Sequence, residues 1–278
     1  MRASSISVSV VSFNPDLALL AAALESLSTS IKYAQTAGQL GEASVIILDN
    51  GPQERFFSRL KQLADSLCAA VPHLNAAVRQ TGVNLGYGAA NNIAIQASEA
   101  DYHLVLNPDV ILAEDALSEA LRYMENDQKT VLLSPLVTSG DGERQYLCKH
   151  SPSLFALFLR GFAPEFLRRG FKRTLWRYEM RAETGNGNYI GRFLTSGCFM
   201  FARGDALRAV GGFDAAYFMY FEDYDLSLRL ARRGSLAFVP KVKIVHHGGG
   251  AAAKGWRHRI WFLRSALRFF NSHGWRLV

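Results

Sequence analysis

The sequence predicts an α/β fold in which a mostly parallel sheet carries helices on both faces. Two observations lead to this prediction. Short β-branched runs alternate with longer helical patterns in the first half, and 49% of the 278 residues are hydrophobic, enough for one large core. Such alternation is typical of parallel strands joined by crossover helices. We therefore expect a single domain spanning residues 1–278.

The first half gives the clearest pattern. A β-branched run from Ile6 to Ser12 predicts a buried strand, Asn14-Pro15-Asp16 predicts a turn and helix start, and apolar residues at helical spacing follow from Leu17 to Ile31. The same order then repeats. We predict further strands at Val45–Asp49, Asn75–Arg79, Tyr102–Leu106 and Val131–Val137, and helices at Phe57–Val71, Gly88–Ala97 and Asp115–Met124.

The second half is less regular, and no internal repeat or low-complexity linker separates it from the first. Residues Phe155 to Met180 are aromatic and basic. After them we predict a strand at Phe193–Ala202, a helix from about Glu222 to Arg233, and strands near Phe238 and Ile244. The two halves are therefore expected to form one body.

Composition narrows the setting and the partner. Cys68, Cys148 and Cys198 lack a Cys-x-x-Cys spacing, so neither a disulfide framework nor a thiolate zinc site is indicated, and a cytoplasmic setting fits best. No apolar run approaches the length of roughly 20 residues that crosses a bilayer, and no signal peptide is recognisable. The net charge of +7 indicates an anionic partner, and basic residues crowd Arg160–Arg181 and Lys254–Arg276.

Polar residues that follow the predicted strands are the first candidates for a site, because ligands of open parallel sheets bind beyond the strands' carboxyl ends. These candidates are Ser12-Phe13-Asn14, Asp49-Asn50, Asn84-Leu85-Gly86-Tyr87-Gly88 with Asn91-Asn92, and Asn107-Pro108-Asp109. The third segment places Gly86 and Gly88 at a helix start, where free backbone N–H groups can face a phosphate. The alternative is a plain glycine turn. Neither a Walker loop nor a Gly-x-Gly-x-x-Gly motif is present, so ATPases and nicotinamide enzymes are disfavoured.

Asp109 is a candidate ligand for a hard divalent cation, which takes a carboxylate oxygen and completes its shell with substrate phosphate oxygens. Asn107 could add only a neutral amide oxygen. The alternative is that Asn-Pro-Asp is a β-turn and nothing more. His246 and His247 end another predicted strand, where adjacent side chains point to opposite faces, so at most one of them faces a metal at Asp109. A structural hydrogen bond is the alternative for each.

Glu222-Asp223 opens a predicted helix behind an aromatic run, Tyr217 to Phe221. These rings could desolvate a carboxylate and tune it as a general base. The alternative is that acidic residues at the helix start only complement the macrodipole. For Asp225 we expect an ion pair with Arg229, four residues later.

In this order and spacing the segments resemble glycosyltransferase family 2, the inverting enzymes of the Rossmann-like GT-A fold, and most closely its rhamnosyltransferase-like branch. The resemblance covers roughly Val8 to Gly249. It implies that residues 1–137 bind the nucleotide sugar, that residues 138–250 bind the acceptor and carry catalysis, and that residues 251–278 form a basic amphipathic helix at the acceptor side.

The same resemblance implies a role for each motif. Ser12, Phe13, Asn14, Asp49 and Asn50 contact the nucleotide, with Asp49 reading the pyrimidine, and Asn84, Gly86, Gly88 and Asn91 lie along the ribose and diphosphate. Asn107-Pro108-Asp109 stands where the family commonly has Asp-x-Asp, so Asp109 would hold Mg²⁺ or Mn²⁺ with one of the two histidines, while Asn107 leaves the strictness of metal dependence open. Asp223 would be the general base, assisted by Glu222.

The implied reaction is a single in-line displacement with inversion at the anomeric carbon. The branch implies dTDP-rhamnose as the donor, and UDP-linked hexoses remain an alternative. It implies a lipid-linked or cell-surface glycan, such as lipopolysaccharide, as the acceptor. Three rivals remain: a non-catalytic nucleotide-sugar-binding module, an RNA-binding protein and a nucleotidyltransferase. Retention of Asp109 with the Glu222-Asp223 pair disfavours the first. The absence of a recognisable RNA-recognition motif disfavours the second. The acidic pair and the placement of the histidines favour sugar transfer over the third.

Aromatic and basic residues alternate in two segments that could lie on a membrane. Leu154 to Leu159 and Phe162 to Leu167 are interleaved with arginines, and Trp256 to Trp275 has the same character. They could form interfacial helices on the cytoplasmic face of the inner membrane. The alternative, that the rings are ordinary core and the arginines a solvated face, is equally compatible with the sequence.

Overall fold

A computed structural model describes residues 3–52, 54–161, 163–185, 187–248 and 255–277. The strands are β1 (Ser4–Ser12), β2 (Leu40–Asp49), β3 (Leu74–Gln80), β4 (Tyr102–Leu106), β5 (Val110–Leu112), β6 (Thr130–Thr138), β7 (Arg144–Gln145), β8 (Tyr189–Gly191), β9 (Phe199–Arg203) and β10 (Ser235–His246). The helices are α1 (Leu17–Thr36), α2 (Phe57–Ala70), α3 (Tyr87–Gln96), α4 (Ala116–Asn126), α5 (Leu154–Gly161), α6 (Glu165–Gly170), α7 (Lys172–Tyr178), α8 (Gly204–Ala209), α9 (Glu222–Leu230) and α10 (Trp256–His273), and a 3₁₀ turn, Glu54–Phe56, precedes α2.

Across these residues the strands form one sheet in the order β3-β2-β1-β4-β9-β6-β10-β5, with β7 beside β6 and β8 beside β10. The neighbours of β1 pair with it in parallel, as do β3 with β2 and β10 with β6. The strands β5, β7, β8 and β9 run the other way. The predicted mostly parallel α/β fold is therefore confirmed, with an antiparallel β9 at its centre.

Alternating side chains of β1 explain why helices cover both faces. Ile6, Val8 and Val10 pack with α1, α2 and α4 in the largest core cluster. Val11 points to the opposite face and packs with α3. Further along that second face, α8 and α9 pack on the sheet through a separate apolar cluster. Period-two alternation in a strand thus gives the protein two cores.

Two predicted boundaries in the second half are wrong. The strand expected at Phe193–Ala202 begins only at Phe199, because residues 195–198 form a loop that reaches the site described below. The helix expected to reach Arg233 ends at Leu230, where the last carbonyls are satisfied by the turn that follows it.

A third apolar cluster lies beside the sheet, where α5, α7 and α10 surround the aromatic segment Tyr217–Phe221. Cys68, Cys148 and Cys198 are free thiols. None of the helices in the described parts of the chain is both long and apolar enough to cross a membrane. Of the basic C-terminal segment, residues 251–254 and Val278 lie outside the described residues, as does Phe162 of the first aromatic segment.

Candidate active site

The carboxyl ends of β1 and β2 bring two unsatisfied polar groups together. Ser12 and Asp49 are direct neighbours in the strand register. Both residues are buried, and within the described residues neither Ser12 Oγ nor Asp49 Oδ2 has a hydrogen-bond partner. Leaving buried polar groups unpaired costs free energy, so they indicate a place for a ligand. Phe13 follows β1 with 48% of its surface exposed, and Asn14 turns the chain through a positive φ of 48°.

Asn50 organises the loop between β3 and α3. Its Oδ1 accepts from the backbone N–H of Leu85 at 3.0 Å, and its Nδ2 donates to the carbonyl of Gly86 at 3.1 Å and to Asn84 Oδ1 at 3.2 Å. Asn84 Oδ1 in turn accepts from the Gly86 N–H, and the Tyr87 N–H donates to the Phe218 carbonyl. Three N–H groups of this segment are therefore already paired within the chain, whereas a phosphate cradle requires free ones.

The glycines of this segment serve close packing. Gly86 has φ of 86°, and a Cβ there would collide with the Phe218 carbonyl. A Cβ on Gly88 would lie 2.8 Å from Cβ of Phe213. These approaches press the start of α3 against the segment that leads to Glu222-Asp223. Gly86 and Gly88 thus allow the start of α3 to pack closely against the segment before α9.

Asn91, which is predicted to lie along the ribose and diphosphate, directs its side chain into the protein. It is fully buried, accepts from Ser9 Oγ at 2.6 Å and donates to the Tyr87 carbonyl at 3.0 Å. Ser9 Oγ also lies 3.0 Å from Nε2 of His103. Burial, aided by the charge of Arg208, lowers the pKa of His103 to about 3, so this ring stays neutral. The chain of contacts is a buried polar seam between α3 and the sheet.

Asp109 and His246 meet where β5 pairs with β10. Nε2 of His246 lies 3.6 Å from Oδ1 of Asp109, and its Nδ1 is 3.1 Å from Oε1 of Gln145. Among the described residues Asp109 Oδ1 is buried without a hydrogen-bond partner, and a Cβ on Gly248 would collide with Asp109 Oδ2. His247 instead directs its ring toward Gly140, although its N–H donates to the Asp109 carbonyl.

This donor set fits a divalent cation. It offers a carboxylate oxygen that has no hydrogen-bond partner among the described residues, and an imidazole nitrogen oriented through its other nitrogen by Gln145, an arrangement common at metal sites. Within the part of the chain that the structure describes, no group of three or more His, Cys, Asp or Glu side chains could hold a metal alone. Substrate phosphate oxygens would have to complete the shell. Asn107, partly buried, lies at the start of the same turn.

Glu222 and Asp223 open α9 after two residues in the left-handed region, Tyr220 with φ of 71° and Phe221 with φ of 65°. Such conformations in bulky residues are strained and concentrate at functional sites. The Asp223 oxygens accept from the backbone N–H groups of Gly197 and Tyr224, both at 2.9 Å. The strained turn therefore holds a carboxylate at a helix start in a fixed orientation.

Burial gives both carboxyl groups an unusual affinity for protons. It raises the pKa of Asp223 to about 6, although the backbone hydrogen bonds oppose the rise. Burial also raises the pKa of Glu222 well above its ordinary value, and the neighbouring Asp223 adds to this. Among the described residues Glu222 Oε2 has no hydrogen-bond partner. A carboxylate with a pKa near 6 is suited to take a proton near neutral pH.

The loop before β9 joins the Asp109 turn to Asp223, and sequence reasoning missed it. The Cys198 carbonyl accepts from the Asn107 N–H at 2.9 Å, while Gly197 donates to Asp223 and its carbonyl accepts from the Tyr87 hydroxyl at 2.6 Å. Gly197 is closely packed, since a Cβ on it would lie 3.1 Å from the Tyr87 ring. An isolated glycine inside a strand pattern was the available signal.

Asp225 has the structural role expected for it. Its Oδ2 accepts from Arg229 Nε at 2.7 Å, which confirms the predicted i,i+4 pair. Its Oδ1 lies 2.8 Å from His273 Nε2 on α10. Asp225 therefore ties α9 to the C-terminal helix.

Comparison with known proteins agrees with this arrangement. The model of the family "Glycosyl transferase family 2" matches residues 7–207. The chain belongs to this family. A Mycobacterium tuberculosis protein named N-acetylglucosaminyl-diphospho-decaprenol L-rhamnosyltransferase is 31% identical over 73% of the chain and 66% of its own length. The Escherichia coli rhamnosyltransferase WbbL is 31% identical over 66% of the chain and 69% of its own length.

A solved structure with a similar fold is the mannosyltransferase PcManGT from Pyrobaculum calidifontis, in complex with GDP-Man and Mn²⁺. It matches 96% of this chain and 65% of its own, with a TM-score of 0.61 and 15% identity, so it speaks for the fold alone. The chain spans about two thirds of the length of the Mycobacterium protein. The predicted family and the GT-A fold are confirmed.

Proposed function

We propose that this family 2 chain is an inverting glycosyltransferase that moves rhamnose from dTDP-rhamnose onto a hydroxyl of a lipid-linked or cell-surface glycan. One observation carries the proposal. Asp223, whose pKa burial raises to about 6, is joined through Gly197 and Cys198 to the turn that presents Asp109. The loop of Gly197 and Cys198 thus connects the proton acceptor to the turn that carries the metal ligand. In-line displacement requires such fixed relative positions.

The donor's base would lie over the ends of β1 and β2. The unpaired Asp49 Oδ2 and Ser12 Oγ offer acceptors to a pyrimidine N–H, and the exposed ring of Phe13 offers a surface for stacking. Thymine and uracil both carry that N–H, so this contact supports dTDP and UDP equally. The names of the two rhamnosyltransferase relatives favour rhamnose as the transferred sugar. The choice of dTDP-rhamnose as its donor rests on the resemblance to the rhamnosyltransferase-like branch.

The chain's own residues would carry the proton and hold the reactants. As the acceptor oxygen forms its bond to the anomeric carbon, the bond from that carbon to the diphosphate oxygen breaks, and the electron pair leaves with the nucleoside diphosphate. Asp223 takes the acceptor proton, and attack opposite the leaving group inverts the carbon. Asp109 and His246 would hold Mg²⁺ or Mn²⁺, which neutralises charge on the diphosphate when bound.

Helix α10 supports a peripheral position on the inner membrane. Trp256, Ile260, Leu263 and Leu267 are exposed at positions i, i+4, i+7 and i+11, a stripe about 60° wide at 100° per residue. The exposed arginines Arg259 and Arg264 flank this stripe on its two sides. An apolar stripe between cations is suited to anionic lipid headgroups. Flotation with phosphatidylglycerol vesicles tests this, and equal binding of wild type and Leu263→Ser/Leu267→Ser would contradict it.

Thermal unfolding with dTDP, UDP, GDP or ATP, each with and without Mg²⁺ or Mn²⁺, tests the donor proposal. Saturation near 100 times Kd adds about 2.7 kcal/mol, which corresponds to a Tm rise of about 5 °C or more. We expect metal-dependent stabilisation by dTDP that Asp49→Ala removes. Stabilisation by UDP alone would redirect the donor to UDP-linked hexoses. No response to any nucleotide would favour a non-catalytic module.

A further inference from the structure

A group of basic and tyrosine side chains lies near Asp223, contributed by α5, α7, α9 and the segments next to them. We call it the cationic recess; it consists of Lys149, Arg160, Tyr178, Glu179, Arg181 and Tyr224. Arg160 stands on the last turn of α5, with its side chain exposed. None of these residues belongs to the donor or metal contacts described above.

Arg160 links the recess to the catalytic helix through two hydroxyl groups. Its guanidinium bonds the Tyr178 hydroxyl, which lies 3.1 Å from the hydroxyl of Tyr224. Tyr224 follows Asp223 directly in α9. Burial raises the pKa of both tyrosines, so their hydroxyls stay protonated and can donate. The recess therefore presents a guanidinium and O–H groups next to the proposed base.

The charges in the recess are unbalanced. Glu179 forms ion pairs with two basic side chains. Its Oε2 lies 2.6 Å from Arg181 Nη2, and its Oε1 lies 3.7 Å from Lys149 Nζ. Over the described parts of the chain, no carboxylate lies within ion-pair distance of Arg160. Burial, together with the charge of Arg160, lowers the pKa of Lys149 to about 7. Lys149 and Arg181 thus share the carboxylate of Glu179, and Arg160 has no ion-pair partner among the described residues, an excess of positive charge that an incoming anion would relieve.

We propose that Arg160, with the hydroxyl groups of Tyr178 and Tyr224, binds a phosphate of the acceptor, a lipid-linked sugar diphosphate, while the acceptor's hydroxyl reaches Asp223. This inference rests on the proposed function, because it assigns the acceptor side of the same reaction. An arginine with flanking hydroxyls is the chemistry that recognises phosphate. Exposed Leu154 and Phe158 on the same helix supply an apolar path for the lipid.

The effect of Arg160 on Asp223 supports this assignment. The Arg160 charge lowers the pKa of Asp223 and so opposes the rise caused by burial. A cation that weakens the base serves catalysis poorly unless it has another task. A bound phosphate would neutralise Arg160 and allow the pKa of Asp223 to rise. The base would then be strongest when the acceptor is in place.

The test is calorimetric binding of farnesyl diphosphate to the full chain in the presence of saturating dTDP and Mg²⁺, which occupy the donor side. The variants are Arg160→Gln and Arg160→Lys, and the matched control is Arg59→Gln on α2, an arginine whose side chain bonds Gln62 at 2.9 Å. A charge-assisted hydrogen bond contributes about 1.5–3 kcal/mol, so we expect Arg160→Gln to weaken binding by about 10-fold or more. Arg160→Lys should lose less affinity for farnesyl diphosphate than Arg160→Gln, and Arg59→Gln should lose none.

Two further arms separate the sources of phosphate. Farnesol lacks the diphosphate and should bind wild type and Arg160→Gln equally weakly, while phosphatidylglycerol vesicles should bind both equally well. Unchanged farnesyl diphosphate affinity in folded Arg160→Gln, or no binding by wild type, overturns the inference. An equal loss of vesicle binding would assign Arg160 to membrane headgroups and also overturn it. Failure of the donor proposal shows separately, as absence of stabilisation by any nucleotide.

Discussion

Replacing Asp223 by asparagine removes the proposed base with little change of shape. In the wild type, both oxygens accept backbone N–H groups, from Gly197 and Tyr224. The asparagine NH₂ group must face one of these donors, and an unmatched buried pair costs about 1–3 kcal/mol. Part of this cost is offset, because the variant no longer buries a negative charge. The cost of burying that charge is what raises the pKa of the wild-type carboxyl. We therefore expect a folded protein of similar stability.

The expected loss of activity follows from the role of a general base. Such a group contributes roughly 10²–10⁴-fold, so turnover of Asp223→Asn should fall by about 10²-fold or more, while affinity for the donor nucleotide is preserved. The pH dependence follows from the raised pKa. With a pKa of about 6, about 97% of Asp223 is ionised at pH 7.5 and about 9% at pH 5, so the wild-type rate should fall about tenfold between them.

The assay is transfer of rhamnose from dTDP-rhamnose, with dTDP affinity and Tm measured on the same samples. An acid limb with a midpoint near pH 6 in the wild type, absent from the residual activity of Asp223→Asn, supports the assignment. Wild-type activity that stays level down to pH 4.5, or a variant with undiminished turnover, would refute the reasoning. A loss of dTDP affinity in parallel with turnover would point to damage across the site instead.

Three further outcomes are expected. Glu222→Gln should raise Tm at pH 8 but little at pH 4. The reason is that a carboxyl with a raised pKa is fully stabilising only below its ordinary pKa and loses that stability as pH rises through its pKa in the folded state. Equal Tm shifts at both pH values would contradict this. Gly86→Ala should cost at least about 2 kcal/mol in urea unfolding, and Gly38→Ala, at positive φ in open space, clearly less. His246→Ala should abolish metal-dependent stabilisation by dTDP, which His247→Ala should retain; the reverse result would reassign the ligand.

Much of the fold was predictable because local pattern and tertiary role agree in the first half. The run from Ile6 to Ser12 is buried on both faces, so its period and composition both indicate a central strand. The strand β9 was misplaced because apolar residues lie on both sides of the loop, Phe193-Leu194 before it and Phe199 after it, so the short polar stretch between them did not mark a break. Only contacts with α3 and α9, far away in sequence, show that these residues turn toward the site.

The site was predictable in its residue types more than in their contacts. Asp49, Asp109 and Asp223 each follow a recognisable strand end or helix start, and each ends in a buried or recessed position. Asn91 also carried the expected residue type, but its side chain turns into the sheet toward Ser9. Sequence spacing gives the position of a residue on a helix, whereas packing decides which side the helix shows to the ligand.

The strained turn before Glu222 connects catalysis to the C-terminal helix. The ring of Phe221 lies 5.3 Å from that of Phe269, which is buried on α10. Two bulky residues at positive φ cost about 1–3 kcal/mol each, and this packing is what can hold them there. Phe269→Ala should therefore destabilise the chain by about 3–5 kcal/mol and also lower turnover at temperatures where it remains folded.

A matched control separates these two effects. Leu60→Ala empties a fully buried position on α2, on the other face of the sheet, and should cost about 2–5 kcal/mol. Because α2 packs on β2, β3 and α1, the turnover of Leu60→Ala should stay near wild type below its lowered Tm, while that of Phe269→Ala should not. If both variants lose turnover only in proportion to unfolding, α10 stabilises the protein without positioning Asp223. A selective loss in Phe269→Ala means that aromatic packing far from the reacting atoms holds the base in its orientation.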